Sequence, residues 1–143
     1  MNLYQEMKDR QAKEVHAFPF GFAYNDQQFT EMMEKWGLDP RGDLNKIASV
    51  FGGGFVRKQD IPAMHEMFDR HRAEMQAAVD ADTTGEGFVC DMFICEMENH
   101  EYSYTGDPED TLRALGLTAE EVTQNKPLSH GFLLAHQRVM KEQ

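Results

Sequence analysis

The spacing of apolar residues along the chain predicts α-helices in nearly every segment. Apolar side chains recur at intervals of three and four residues, which places them on one face of a helix. The clearest example runs from about Ile61 to Val79, with Pro62 in the first turn, where its missing N–H costs nothing. Similar stripes begin at Leu3 and at Phe29. The pattern indicates a helical protein.

Two capping boxes mark helix starts. Asn25 is followed three residues later by Gln28, and Thr118 by Glu121, so each pair is expected to satisfy backbone N–H groups at a helix N-terminus. Gly37 is expected to end the helix that Asn25 begins. These signals predict helices that start at residues 25 and 118.

Three further starts are predicted. The segment Asp107–Asp110 combines a cap, a proline at the first helical position and an acidic first turn. Ser129 is expected to cap a terminal helix. Asp43 is expected to begin a short helix that uses Leu44, Ile47 and Phe51 and ends at the glycine run from residue 52 to 54.

One apolar segment is ambiguous, and one aromatic segment is irregular. The stretch Phe88–Ile94 reads as the start of a helix reaching about Glu101, but it also fits a strand. The aromatic segment from Phe18 to Tyr24 is expected to connect helices and to lie over the core. The predicted fold is therefore all-α: a compact single domain over residues 1–143, with six or seven short helices and at most one short hairpin.

Composition predicts a soluble, cytoplasmic protein. The 143 residues, 41% of them hydrophobic, suffice for one domain with a sizeable core. Two cysteines, Cys90 and Cys95, are too few for a disulfide framework and would face different directions on a helix, so reduced thiols are expected. The N-terminal sequence lacks the pattern of a signal peptide, and no apolar run has the length of a membrane span.

The charge pattern narrows the class of partner. Residues 73–112, called here the acidic window, contain eleven acidic side chains and no Lys or Arg, while the rest of the chain has fourteen acids and fourteen bases. Such a segment repels nucleic acid and anionic membranes and attracts a basic protein surface. The residues predicted to bind that partner are Glu74, Asp80, Asp82, Glu86, Asp91, Glu98 and Glu101.

A plainer interpretation of the acidic window is a solvated helix face with acidic N-terminal caps. Capping alone explains Asp107, Glu109 and Asp110. Against it stands the absence of interleaved Lys or Arg over forty residues, because solvated helices usually mix charge signs. Both interpretations stay open at the level of sequence.

The segment Asp80–Asp91 resembles a calcium-binding loop between two helices. Oxygen-bearing side chains fall at loop positions 1, 3, 5 and 12, and the turn glycine is at position 6. Gly87 stands where an aliphatic residue is usual, Asp91 is shorter than the usual Glu, and there is no second loop. The alternative is an ordinary helix–helix loop capped by Thr83 and Glu86. We expect that calcium is not required.

A histidine and carboxylate site is a second chemical possibility. His65 and Asp69 lie one turn apart on the predicted helix, and either His100 or Glu101 could approach them to form a metal site or an acid–base pair. Adjacent residues do not share a helix face, so only one of the last two could contribute. The sequence contains no His-Glu-x-x-His pattern.

Other motifs have structural explanations. The glycine run at 52–54 lacks the Gly-Lys-Ser/Thr ending of a phosphate loop, and the adjacent pair Arg57–Lys58 is expected to bind a neighbouring carboxylate. Leu112–Val122 has the rhythm of a helix-turn-helix but offers no Lys or Arg on its second helix for phosphate contact. His71 and His136 fall near apolar stripes and are expected at the core boundary.

Several segments together resemble a family of small uncharacterised proteins carried on phages and conjugative elements of anaerobic bacteria. The residues that carry the resemblance are Ala17–Tyr24, Gly53–Lys58, His65–His71, Asn99–Tyr102 and Thr105–Asp110. The resemblance implies an accessory gene of a mobile element. Such genes often encode small, acidic, non-enzymatic inhibitors of host defence.

The functional expectation is a non-enzymatic binding protein without a cofactor. Its acidic window would occlude the basic, nucleic-acid-binding surface of a host protein, such as a CRISPR effector, and would not bind nucleic acid directly. One alternative is a small metal-dependent enzyme or calcium-responsive module that uses residues 80–91 and the histidines. Another is a structural or regulatory subunit that oligomerises through exposed Phe and Met side chains.

Overall fold

The protein is mostly helical, as predicted. The computed structural model describes residues 2–141. The helices in that range are α1 Leu3–Ala17, α2 Asp26–Lys35, α3 Ile61–Ala81, α4 Phe88–Asn99, α5 Tyr102–Thr105, α6 Glu109–Ala114, α7 Ala119–Gln124 and α8 Lys126–Lys141. The strands are β1 Gly21–Phe22, β2 Ile47–Ser49 and β3 Gly54–Arg57.

Within the predicted single domain, backbone contacts divide the chain into two compact units. Unit 1 comprises Met1–Ala12 and Ala73–Gln143, and unit 2 comprises Lys13–Arg72. Sequence periodicity describes each helix by itself and does not show which helices pack together.

Unit 1 is built around α4. This helix is apolar on nearly all sides, so it is buried on nearly all sides, as expected for the centre of a helical core. Phe93 is fully buried and meets Phe132 of α8 edge to face, with ring centroids 5.3 Å apart. The alternative interpretation of residues 88–94 as a strand is therefore wrong.

Glycines set the close approach of α8 to the start of α4. A Cβ atom on Gly131 would lie 2.5 Å from Cγ1 of Val89 and 2.7 Å from the carbonyl oxygen of Gly85. Gly85 itself has a φ of +83°, which side chains rarely tolerate. These glycines hold the loop before α4 against α8.

Unit 2 combines α2 with a small antiparallel sheet in the strand order β1-β3-β2. Gly21 pairs with Phe55 across β1 and β3, and Ala48 pairs with Val56 across β2 and β3. The core includes the buried Met33 of α2, packed near the edge-to-face ring pair Phe29 and Phe55, whose centroids are 5.4 Å apart. This second core is smaller than that of unit 1.

The helix predicted to start at Asp43 is limited to one 3-10 turn with Asp43 at its cap position, and its predicted extension through Ile47 and Phe51 is wrong. A 3-10 turn at Leu44–Lys46 leads directly into β2, and residues 50–53 then form the turn of a hairpin. Gly52 and Gly53 have φ values of +59° and +75°, so they reverse the chain instead of ending a helix. With β1 added, the hairpin becomes a three-stranded sheet.

The structure contains some of the predicted helix caps and lacks others among the described residues. Thr118 and Glu121 form the capping box in both directions. Only half of the box predicted at Asn25 forms: Asn25 accepts from the backbone N–H of Gln28 at 2.8 Å, whereas the Gln28 side chain accepts from the N–H of Tyr24 at 2.8 Å. Ser129 is not a cap, because α8 begins three residues earlier.

Asn125 caps α8 instead, since its side-chain oxygen accepts from the Leu128 N–H at 3.0 Å. At α6 the structure places Pro108 at the cap position, while the Asp107 carboxylate accepts from the Glu109 N–H at 3.0 Å. The acidic start is thus confirmed, with the helix beginning at Glu109. Within residues 2–141, no helix has both the length and the apolar character needed to cross a membrane.

Candidate functional site

The net charge of the chain is concentrated in unit 1. This unit holds sixteen acidic and six basic side chains, a net charge of −10, whereas unit 2 holds nine acidic and eight basic side chains, a net charge of −1. The acidic window lies wholly within unit 1. The candidate site is therefore the surface of unit 1, and each predicted residue is tested by its contacts there.

Asp82 has a structural role. Its Oδ1 accepts from the Gly85 N–H at 3.1 Å, and its Oδ2 accepts from the N–H groups of Gly87 at 3.1 Å and Val89 at 2.9 Å. The carboxylate thus satisfies backbone donors at the start of α4, where negative charge is also favoured by the helix dipole. Thr83 and Glu86, the caps suggested by sequence, do not fill this role.

Asp91 also has a structural role. Its Oδ2 accepts from the Leu3 N–H at the start of α1 at 2.9 Å, and its backbone oxygen accepts from the Asn2 side chain at 3.0 Å. Two of the proposed calcium ligands, Asp82 and Asp91, therefore already accept hydrogen bonds from the protein. The loop is organised around backbone donors.

Two further predicted residues have charged or titratable neighbours. Glu74 pairs with Arg10, with 2.5 Å between Oε1 and Nη2. Glu86 lies 3.2 Å from Nε2 of His130. Both contacts leave part of each carboxylate accessible, since Glu74 is 30% exposed and Glu86 is 62% exposed.

Asp80, Glu98 and Glu101 are the predicted residues most available to a partner. All three are exposed, and none forms an ion pair within residues 2–141. Among the described residues, Asp80 accepts one side-chain hydrogen bond, from Gln76 at 2.8 Å. These three side chains are the strongest candidates for binding a basic surface.

The C-terminal end of α4 carries acidic residues where they weaken the helix. Glu96 and Glu98 lie in its last turn, which contains no basic residue. The helix dipole places partial negative charge at this end, so each exposed acid there costs about 0.3–1 kcal/mol. Glu101 follows with a φ of +55° and is the non-glycine residue with a positive φ in the described chain. Gly or Asn would be the favoured residue at such a position.

Glu96 is buried in a polar network that the sequence prediction missed. The Tyr4 hydroxyl donates to its Oε1 at 3.1 Å, the Asn99 side chain donates to the same oxygen at 3.3 Å, and His100 lies 3.4 Å from its Oε2. Burial, followed by the charge of Glu96, raises the pKa of Tyr4. The position of Glu96 between the apolar residues Cys95 and Met97 was the available signal, because a buried carboxylate requires hydrogen-bonding partners.

The residues of the proposed histidine and carboxylate site have other neighbours. Asp69 pairs with Arg72, His65 is exposed, and His100 faces Glu96. No group of three or more His, Cys, Asp or Glu side chains arranged to hold a metal ion occurs in the described part of the chain. The structure gives this site no assembled ligand set.

The two histidines expected at the core boundary are found there. His71 is buried and lies 3.0 Å from Oε1 of Glu14, which also pairs with Arg70 at 2.7 Å. Arg70, and then His71, lower the pKa of Glu14 from 4.5 to about 2. His136 is half-buried, with its Nδ1 2.8 Å from the Tyr102 hydroxyl.

The surroundings of Arg57 and of the two cysteines show what each can do chemically. Arg57 pairs with Asp60 at 2.8 Å, as expected for a structural role. Cys90 and Cys95 are free and buried, and burial raises the pKa of both thiols. A reactive cysteine needs the opposite environment, because the thiolate is the nucleophile.

Comparison with known proteins assigns a family. No curated protein and no solved structure shows significant similarity to the chain. A family model described as a family of unknown function (DUF7659) matches residues 3–138. Since the match spans nearly the whole sequence, the protein belongs to this family of unknown function.

Proposed function

We propose that the protein is a non-enzymatic binding protein whose acidic unit 1 docks on a basic surface of another protein. The observation that carries the proposal is the placement of Glu98 and Glu101. Both are exposed and without an ion pair among the described residues, and Glu98 stands in the last turn of α4, the end of a helix that disfavours negative charge. Glu101 also adopts a strained backbone conformation. Acids that cost stability locally are expected where they serve binding.

The structure also reduces the set of binding residues. Asp82 and Asp91 stabilise helix starts, so the proposed contacts shift to Asp80, Glu98 and Glu101, and Glu86 is a further exposed acid of the acidic window. Because their attraction to cations is long-ranged and screened by salt, they should act mainly on the association rate. Burial of both thiols supports a binding role over nucleophilic catalysis.

More specifically, we propose that the partner is a nucleic-acid-binding protein of a bacterial defence system, such as a CRISPR nuclease. Nucleic-acid channels are lined with Lys and Arg, and exposed carboxylates can occupy the positions of phosphates. The mobile-element context implied by the sequence resemblance motivates this choice. The protein would then inhibit by occlusion, without binding nucleic acid itself.

The test is charge reversal in one unit against the same change in the other. The first variant replaces Asp80, Glu98 and Glu101 with Lys. The matched control replaces Glu31, Glu34 and Glu66 of unit 2, which are also exposed and form no ion pair within residues 2–141. Both variants change the net charge equally. Glu14 is unsuitable as a control, because it pairs with Arg70 and His71.

Binding to purified basic nucleic-acid-binding proteins, including CRISPR nucleases, would be measured at low and high salt. We expect the first variant to bind at least about tenfold more weakly, mainly through slower association, and the control to bind nearly as the wild type. Equal losses in both variants would show that only net charge matters. No loss in the first variant would refute the proposed surface.

A second candidate function, self-association, is favoured by the exposed aromatic side chains of unit 2. Phe22, Tyr24 and Phe51 are 51%, 75% and 56% exposed. Clusters of exposed apolar residues often mark protein interfaces. Sedimentation of the wild type and a Phe22→Ser/Phe51→Ser variant would test it, since a monomeric wild type would exclude this function.

A further inference from the structure

We propose that an apolar groove in unit 1 receives an apolar side chain of the partner, flanked in the partner by Lys or Arg residues. The inference rests on the proposed function and specifies the chemistry of the partner: a basic segment with an apolar anchor, not a uniformly basic surface.

The groove has an apolar floor contributed by several elements of unit 1. Its volume is about 390 Å³. The floor includes Met75 of α3, Met92 of α4, Leu115 between α6 and α7, and Leu128 of α8. Flexible methionine side chains adapt to partners of different shape, as at other promiscuous binding surfaces. A groove of this size accommodates one or two large side chains.

The rim of the groove is polar and acidic. It includes Gln76 and Asp80 from α3 and Glu121 and Gln124 from α7. Among the described residues that line the groove, none is Lys, Arg or His. The rim therefore repels an acidic segment and attracts a basic one.

Charge complementarity selects the occupant. The groove lies within a unit of net charge −10, and Asp80 belongs both to its rim and to the exposed acids of the proposed docking surface. A basic amphipathic helix satisfies both features, because its apolar residues at i and i+4 can enter the groove while its Lys or Arg residues meet the surrounding carboxylates. The structure thus favours a helical segment over an extended chain of uniform charge.

The binding test uses three labelled peptides of about 15 residues, long enough to form a helix on binding. The first is an Ala/Lys helix with Leu at two positions four residues apart. The second has Ala at those two positions and the same charge. The third retains the Leu pair but has Glu in place of Lys. We expect the first peptide to bind at least about tenfold tighter than the second, because only its Leu pair buries apolar side chains in the groove. The third should not bind.

Two variants of equal net charge locate the site. Gln76→Lys with Gln124→Lys places cations on the rim and should abolish the preference for the Leu pair. Ser129→Lys with Gln137→Lys adds the same charge at exposed positions of α8 outside the groove lining and should retain the preference. Equal behaviour of the two variants would refute the groove as the binding site.

Methyl NMR of the methionines gives an independent readout. Binding of the Leu-pair peptide should shift the signals of Met75 and Met92. The signals of Met32 and Met33 in unit 2 and of Met97 in unit 1 serve as references, because none of these residues lines the groove. Shifts confined to the reference residues would contradict the inference.

The outcomes separate this inference from the proposed function. If the two basic peptides bind equally and with strong salt dependence, the acidic surface is supported and the groove inference is wrong. If neither basic peptide binds, both are refuted. If the acidic Leu-pair peptide binds as well as the basic one, the groove takes apolar segments of any charge, and the assignment of a basic partner is overturned.

Discussion

The two units of the protein differ in how far basic side chains balance their acidic ones. Unit 2 is nearly neutral, and several of its acids have a basic neighbour: Glu14 pairs with Arg70, Asp43 with Lys46 and Asp60 with Arg57. Unit 1 has sixteen acids against six bases. A helical segment therefore does not require a one-sided charge in order to fold. The excess of acid in unit 1 needs a separate explanation, and binding provides one.

The hydrophobic cores of the two units differ in size, and the unit with the larger excess of acid has the larger core. Unit 1 has a large core around α4 that includes Phe93, Met92 and Met97, whereas the core of unit 2 rests on a few residues such as Met33 and Ile47. Repulsion among like charges destabilises a compact state. The unit with more apolar burial is the one that tolerates this repulsion.

The largest expected effect is loss of the unit 1 core. Phe93→Ala removes a fully buried ring that packs on Phe132, so we expect a loss of about 3–5 kcal/mol in the free energy of unfolding, measured by urea denaturation with circular dichroism. Leu133→Ala is the control, since Leu133 is 51% exposed, and it should change stability by less than about 1 kcal/mol. Similar losses would contradict the assignment of the core.

The second prediction separates structural acids from binding acids in unit 1. Asp82→Ala leaves three backbone N–H groups without their acceptor and should cost about 2 kcal/mol in urea denaturation. Asp80→Ala removes one exposed hydrogen bond and should cost less than about 0.5 kcal/mol. For partner binding we expect the reverse order, with Asp80 more important. An equally large stability loss at Asp80 would remove the distinction.

The third prediction concerns the cost of an acid at residue 101. Glu101→Gly should stabilise the fold by about 0.5–1 kcal/mol, because glycine adopts a φ of +55° without strain. Glu98→Gly, inside the last turn of α4, should instead destabilise by about 0.5–1 kcal/mol. Thermal denaturation measures both changes. If Glu101→Gly destabilises, the residue is not strained, and the main support for the proposed surface is lost.

The smallest expected effect lies in unit 2 and depends on pH. The pKa of Glu14 is lowered from 4.5 to about 2, so its ion pair stabilises the fold above about pH 4.5, and this contribution is lost as the pH falls towards 2. Glu14→Gln should therefore lower the melting temperature slightly at pH 7 and have less effect near pH 2. Because Glu14 is 37% exposed, salt should weaken the difference at pH 7.

Glu31→Gln provides the matched control, because Glu31 is exposed and has no ion pair in the described part of the chain. Melting curves of both variants between pH 2 and 7 would be compared at low and high salt. A pH-independent effect of Glu14→Gln would mean that packing, not charge, accounts for its contribution.

The sequence by itself determined the local features of this protein. Helix periodicity, the capping box at Thr118 and Glu121, and the helical end at Gly37 all depend on residues within about four positions of each other, so they can be recognised without tertiary structure. The charge of the acidic window also required nothing more than the sequence. The hairpin after Asp43 was missed because its strands form only by pairing with each other and with β1.

Only the tertiary structure decided which acids are structural and which are exposed. Asp91 receives the Leu3 N–H from 88 positions away, and the Tyr4 hydroxyl reaches Glu96 across 92 positions. Asp80, Asp82 and Glu98 look alike in the sequence, since all three are acids in one charged segment. They differ in the backbone donors and apolar neighbours that folding brings to them. Those neighbours determine whether a carboxylate stabilises a helix start or remains free to meet a partner.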